Sequence, residues 1–129
     1  MIFVDTNVIM YAVGGSHPLK GKAREFFTGL VSGREGKACT SAEVLQELLH
    51  AYLPVHRNRT LQAAFELVEG CIADIWPVEP ADVFLAHELS GRHPALGARD
   101  LIHLACCRRR SVRRMITFDR GLAAAFNNG

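Results

Sequence analysis

Short unbroken apolar runs alternate along this chain with longer stretches of helical periodicity. Ile2, Phe3 and Val4 run into Asp5, and Met115, Ile116, Thr117 and Phe118 run into Asp119. Runs of this length and composition read as buried strands. They predict strands over 2–5 and 114–118, with weaker ones at 37–40 and within 72–78, the last bounded by Pro77 and Pro80. Between them, a short helix can start at Thr6 or Asn7, both good caps, and Gly14 and Gly15 break it. A second helix starts near Pro18 and keeps Ala23, Phe26, Phe27, Leu30 and Val31 at helical spacing, before a turn over 33–36. Helix 41–53 carries Val44, Leu45, Leu48, Leu49 and Tyr52 and stops at Pro54. Helix 59–69 stops at Gly70; helices 81–90, 98–110 and 120–126 follow. Phe26, Phe27, Phe65 and Phe84 fall on apolar stripes and are expected in the core. Strands alternating with helices predict an α/β fold whose parallel sheet is covered on both faces.

That architecture gives the acids a place. Ligands of an open parallel sheet bind beyond the carboxyl ends of its strands. Asp5 and Asp119 each stand just past such an end. Asp100 lies in the first turn of helix 98–110, where the helix dipole favours negative charge. That helix leads into the strand ending at Asp119, so its start is expected over the same edge. On helix 41–53, Glu47 borders the apolar stripe, while Glu43 is expected to cap the helix start with Ser41 or Thr40. Carboxylates gathered in this way repel one another and resist desolvation, so protons or a cation must join them. Oxygen-only surroundings suit Mg²⁺ or Mn²⁺. Asn7 and Thr117 are placed to orient the acids by hydrogen bonds.

Composition changes this picture little. The 129 residues suffice for one domain, 1–129, and are 49% hydrophobic, enough for a real core. The formal charge of +2 argues neither for nor against a nucleic-acid partner, because a local patch is what matters. Cys39, Cys71, Cys106 and Cys107 form no CxxC pair and are expected to be small buried hydrophobes. No basic-then-apolar leader and no run near ~18 apolar residues occurs, so a soluble cytoplasmic protein without membrane contact is expected.

Four segments in order carry a family likeness: DTNV at Asp5–Val8, SAEVLQEL at Ser41–Leu48, RDLIHLA at Arg99–Ala105 and TFDRGL at Thr117–Leu122. Together they resemble the PIN-domain family over almost the whole chain, most closely the VapC-type toxins of VapBC toxin–antitoxin pairs. The resemblance implies a three-layer α/β/α fold around a central parallel sheet of four or five strands. It implies a metal-dependent endoribonuclease with Asp5, Glu47, Asp100 and Asp119 as its acidic quartet. Asp5, Asp100 and Asp119 would hold Mg²⁺ or Mn²⁺, and Glu47 would bind or orient the attacking water. RNA as substrate, a homodimer and a cognate antitoxin whose tail covers the site are implied as well. Some members carry a further acid after the last Asp; here Arg120, Gly121 and Leu122 follow.

Other features compete for attention. The basic run Arg108 to Arg114 closes the helix that begins near Asp100, so its arginines lie ~12–15 Å away at the opposite edge. It is expected to complement the helix dipole or to form an antitoxin surface, not to bind substrate. Lys20, Lys22, Arg24 and Arg99 are the better phosphate-contact candidates. His50 and His103 follow Glu47 and Asp100 by three residues, but His103 in an apolar helix is expected to be a hydrogen-bonded core residue. Two other functions fit part of the pattern. A receiver-like signalling domain would be phosphorylated on Asp5 but needs a Lys beyond the last strand, where Arg120 stands. A PIN-like module that binds RNA or a partner without cutting leaves the intact quartet unexplained.

Overall fold

The structure is a computed structural model and describes residues 1–128; Gly129, the last residue of the expected domain, lies outside the described residues. Eleven elements follow in order: β1 (Ile2–Val4), α1 (Thr6–Val13), α2 (Lys20–Ser32), β2 (Ala38–Ser41), α3 (Ala42–Tyr52), α4 (Asn58–Cys71), β3 (Asp74–Trp76), α5 (Pro80–Ser90), α6 (Ala98–Arg109), β4 (Arg114–Ile116) and α7 (Arg120–Asn127). The four strands form one sheet in the order β3-β2-β1-β4. Every neighbouring pair is parallel, with Ile2 opposite both Ala38 and Arg114 and Cys39 opposite Asp74.

The chain steps outward from β1 through β2 to β3, then crosses back to lay β4 on the other side of β1. Right-handed crossovers in opposite directions place their helices on opposite faces. In agreement, α1, α2, α3 and α4 pack among themselves, and α5, α6 and α7 among themselves, with α3 touching α6. The reversal leaves a switch point between β1 and β4, where open sheets bind ligands. Phe3, Val4, Val8, Ile9, Val44, Leu48 and Leu104 are wholly buried at the centre.

Local signals explain most element ends. Gly33 and Gly36 take φ of 83° and 90° in the turn after α2, a conformation that glycine adopts without a Cβ penalty. Pro80 opens α5, and the Glu79 N–H just before it donates to Asp82 Oδ2 at 2.8 Å. Several expectations fail. The cap of α1 is Asp5, not Thr6 or Asn7: its Oδ1 accepts from Thr6 N at 2.7 Å. Gly70 does not stop α4, which runs on to Cys71. Phe84 and Val31 keep helical spacing yet are 73% and 74% exposed, because among the described residues no element covers those side chains of α5 and α2.

The basic run ties the fold together. Arg109 and Arg110 both pair with the wholly buried Asp82, at 2.8 and 2.9 Å, and with Glu79 at the start of α5. Arg108 donates to the carbonyls of Ala125 and Phe126 at the end of α7. Arg114 pairs with Glu35. The arginines thus lie away from the acids, as expected, but bind named partners across elements instead of merely ending a helix. Asp82 shows the effect. Burial would raise its pKa, yet hydrogen bonds from Arg110, Arg109 and the Glu79 N–H bring it down to about 2.

Candidate active site

Asp5, Glu47, Asp100 and Asp119 line one cleft of about 250 Å³, with Thr6, Asn7, Met10, His50, Ala51 and Arg99. Four separate elements deliver the acids. Asp5 follows β1 and caps α1; Asp119 follows β4 and caps α7, its Oδ1 accepting from Leu122 N at 3.0 Å. Both ends sit at the switch point because β1 and β4 are parallel neighbours. Glu47 comes from α3 and Asp100 from the first turn of α6.

Thr117 organises the two strand-end acids. Its hydroxyl donates to Asp5 Oδ2 at 2.6 Å and accepts from Asp119 N at 3.0 Å and from Asn7 Nδ2 at 3.2 Å. One donor and two lone pairs are all that a hydroxyl has, so this one is fully used. Asn7 closes the network by accepting from Phe118 N at 3.1 Å. The orienting role expected of Asn7 and Thr117 is therefore present in the hydrogen bonds. Gly121 leaves room for the cap, since a Cβ there would stand 3.3 Å from Asp119 Oδ1.

The electrostatics are those of uncompensated negative charge. Burial raises the pKa of Asp5, against the charge of His103 and the hydrogen bonds from Thr117 and Thr6. Asp100 is pushed up to about 6, by burial first and then by the charges of Asp5, Asp119 and Glu47. His103 shows the converse. Burial would lower its pKa, but its bond to Glu47 and the charges of Asp5, Glu47 and Asp100 raise it. Glu43 forms no helix cap; it is raised by burial and lies 3.9 Å from Arg99 at the rim.

Of the four phosphate-contact candidates, only Arg99 lines the cleft. Lys20 donates to Gly14 O at 2.6 Å and Arg24 to Ala12 O at 3.1 Å, fastening α2 to the end of α1. Lys22 borders a different depression with Glu25, Arg34 and Arg114. His103 belongs to both classes that the sequence separates. It is wholly buried, as expected of a core residue, yet its Nε2 bonds Glu47 Oε1 and stands 3.7 Å from Asp5 Oδ1. Ligand atoms of Asp5, Glu47 and His103 lie within 4.8 Å of one another. The three-residue spacing from Asp100 signals a shared helix face, but not that this face looks into a cleft. A larger groove of about 780 Å³ runs between α1, α2 and α4 past Phe27, Val31 and Leu67, and none of the four acids lines it.

A family model described as PIN domain matches residues 2–126. The chain belongs to the PIN-domain family. Ribonuclease VapC23 of Mycobacterium tuberculosis is 58% identical to it over 128 residues, covering 99% of this chain and all of that one. Among solved structures, that of the sarcin–ricin loop cleaving toxin VapC20 of M. tuberculosis superposes with a TM-score of 0.80 at 22% identity. It covers 97% of this chain and 95% of that one. VapBC2 of Rickettsia felis, bound to a DNA fragment from its promoter, matches with a TM-score of 0.67 at 17% identity, over 92% and 88% of the two chains. Membership agrees with the four-stranded sheet and sets the receiver-like reading aside. Asp5, only 4% exposed, is also poorly placed to accept a phosphoryl group from solution.

Proposed function

We propose that residues 1–129 form a single PIN nuclease domain, a VapC-type toxin that hydrolyses RNA phosphodiester bonds with the help of Mg²⁺ or Mn²⁺. The full-length similarity to a chain named Ribonuclease VapC23 supports the activity and the toxin class. It also supports a cognate antitoxin as partner, and the reading includes self-association into a homodimer and a cytoplasmic location. Among the described residues no helix is long and apolar enough to cross a membrane.

The observation that carries the reading is the cleft with four acids from four elements. Arg99 is the one Lys or Arg among its lining residues, and its nearest acid is Glu43. The pKa of two of the acids is raised, that of Asp5 by burial and that of Asp100 to about 6. An all-oxygen donor set with excess negative charge fits a hard divalent cation. Asp5, Asp100 and Asp119 would hold it, and when bound it supplies charge neutralisation for the phosphate oxygens and acidification of a water.

The chain's own residues do the remaining work. The Thr117 hydroxyl and the Thr6 N–H fix the carboxylate plane of Asp5, and the Leu122 N–H holds that of Asp119. Glu47 accepts two bonds on Oε1, and among the described residues none falls on Oε2. That leaves Oε2 to accept from a water and turn its lone pair toward phosphorus. Arg99 at the rim is the side chain available to a substrate phosphate. Purified, antitoxin-free protein incubated with total RNA, with and without Mn²⁺, tests the proposal when new ends are mapped. Cuts that need Mn²⁺ and vanish in D100N are expected. Intact RNA under both conditions would leave only the non-catalytic binding module.

A further inference from the structure

Glu47 is gripped from two sides of the molecule. Thr6 Oγ1 on α1 donates to Oε1 at 3.1 Å, and His103 Nε2 on α6 closes on the same oxygen. The imidazole is wholly buried, with the Phe3 ring 5.6 Å away between ring centroids. Its other nitrogen, Nδ1, is buried without a partner among the described residues. Packing alone would be served better by an apolar side chain, such as the neighbouring Leu101 and Leu104, than by a ring that strands one nitrogen. The polar engagement of His103 is therefore all on the Nε2 side, toward Glu47 and Asp5. A glutamate has three rotatable bonds, and one donor leaves its carboxylate free to turn about that bond. Two donors from different helices define its plane.

We propose that His103 is a positioning residue for the nuclease reaction: it clamps Glu47 Oε1 against Thr6, so that Oε2 is the oxygen presented to the cleft. The inference rests on the ribonuclease reading above and deepens it. His103 touches neither the substrate nor the reacting atoms; it acts through Glu47. The neutral Nε2–H tautomer is sufficient for the clamp.

A cycle of H103L, H103Q, E47Q and H103L/E47Q tests it, read by cleavage of an oligonucleotide spanning a mapped cut and by Mn²⁺ dissociation constants from electron paramagnetic resonance. H103L is expected to lower kcat by ~10–100-fold, the usual effect of losing an outer partner of a metal site, with KM unchanged. H103Q, whose amide donates to the same oxygen, recovers most of that loss. In the E47Q background, H103L lowers the residual cleavage rate no further. If H103L fails to fold, H103N takes its place, because its amide is too short to reach Glu47. An H103L that cuts as well as wild type overturns the clamp. So do independent, multiplying effects of H103L and E47Q, or directly coordinated nitrogen in the Mn²⁺ spectrum of the wild type. A wild type that neither binds Mn²⁺ nor cuts RNA sinks the nuclease reading itself, and the clamp with it.

Discussion

Asp100 shows how one side chain records the charge of a whole site. Its pKa stands near 6 instead of 3.8, because burial and the neighbouring acids disfavour the carboxylate. The folded protein therefore keeps a proton that the unfolded chain gives up between about pH 4 and 6, so metal-free stability falls as pH rises through that window. The shift sets an upper limit of about 3 kcal/mol, and solvent screening of this half-buried group reduces it. Thermal unfolding in chelator should show the loss, and D100N should flatten it and melt higher than wild type at pH 7. Asp5 is raised in the same direction, but D5N keeps only one of the two acceptors that Thr6 N and the Thr117 hydroxyl use, so it should stabilise the metal-free protein less than D100N does. D5N should abolish cleavage. A folded D5N that cuts as fast as wild type with Mn²⁺ would remove Asp5 from the site.

Helices α5 and α6 are joined by charge as well as by apolar contact. Asp82 is wholly buried and needs both Arg109 and Arg110, and Arg110 also lies 5.0 Å over the Trp76 ring. Removing the cations from a buried ion pair leaves an uncompensated charge. R109A/R110A should therefore unfold at a clearly lower urea midpoint than wild type. An unchanged midpoint would mean that Asp82 finds solvent. The pH dependence has the opposite sign to that of Asp100. Asp82 titrates near 2 when folded, so its contribution, about 2 kcal/mol, is complete above pH 4 and disappears as pH falls toward 2. The basic run was legible as lying far from the acids, because helix rise fixes that distance. Its partners were not, since Glu79 and Asp82 stand about 30 positions away in sequence.

At the scale of the molecule, the crossing of β4 back beside β1 creates the site, and a divalent cation should in turn stabilise the fold. Mn²⁺ at 100 times its dissociation constant should add about 2.7 kcal/mol by mass action, raising the unfolding midpoint reversibly with chelator. D119N, lacking one proposed ligand, should show a much smaller rise; an equal rise in wild type and D119N would place the ion elsewhere. The chain by itself determined its strands, its helices within a few residues, and the three aspartates at their ends with Glu47 beside an apolar stripe, because these are written in local periodicity, caps and strand termini. It left open which apolar stripes are covered, so Val31 and Phe84 came out on the surface: spacing defines a face, and only a neighbouring element buries it. Convergence was likewise a tertiary decision. Glu43 turned from a cap to the rim, Lys20 and Arg24 became fasteners, and His103 reached the carboxylates from within the core. Each outcome depends on distances across the sheet that no stretch of sequence contains.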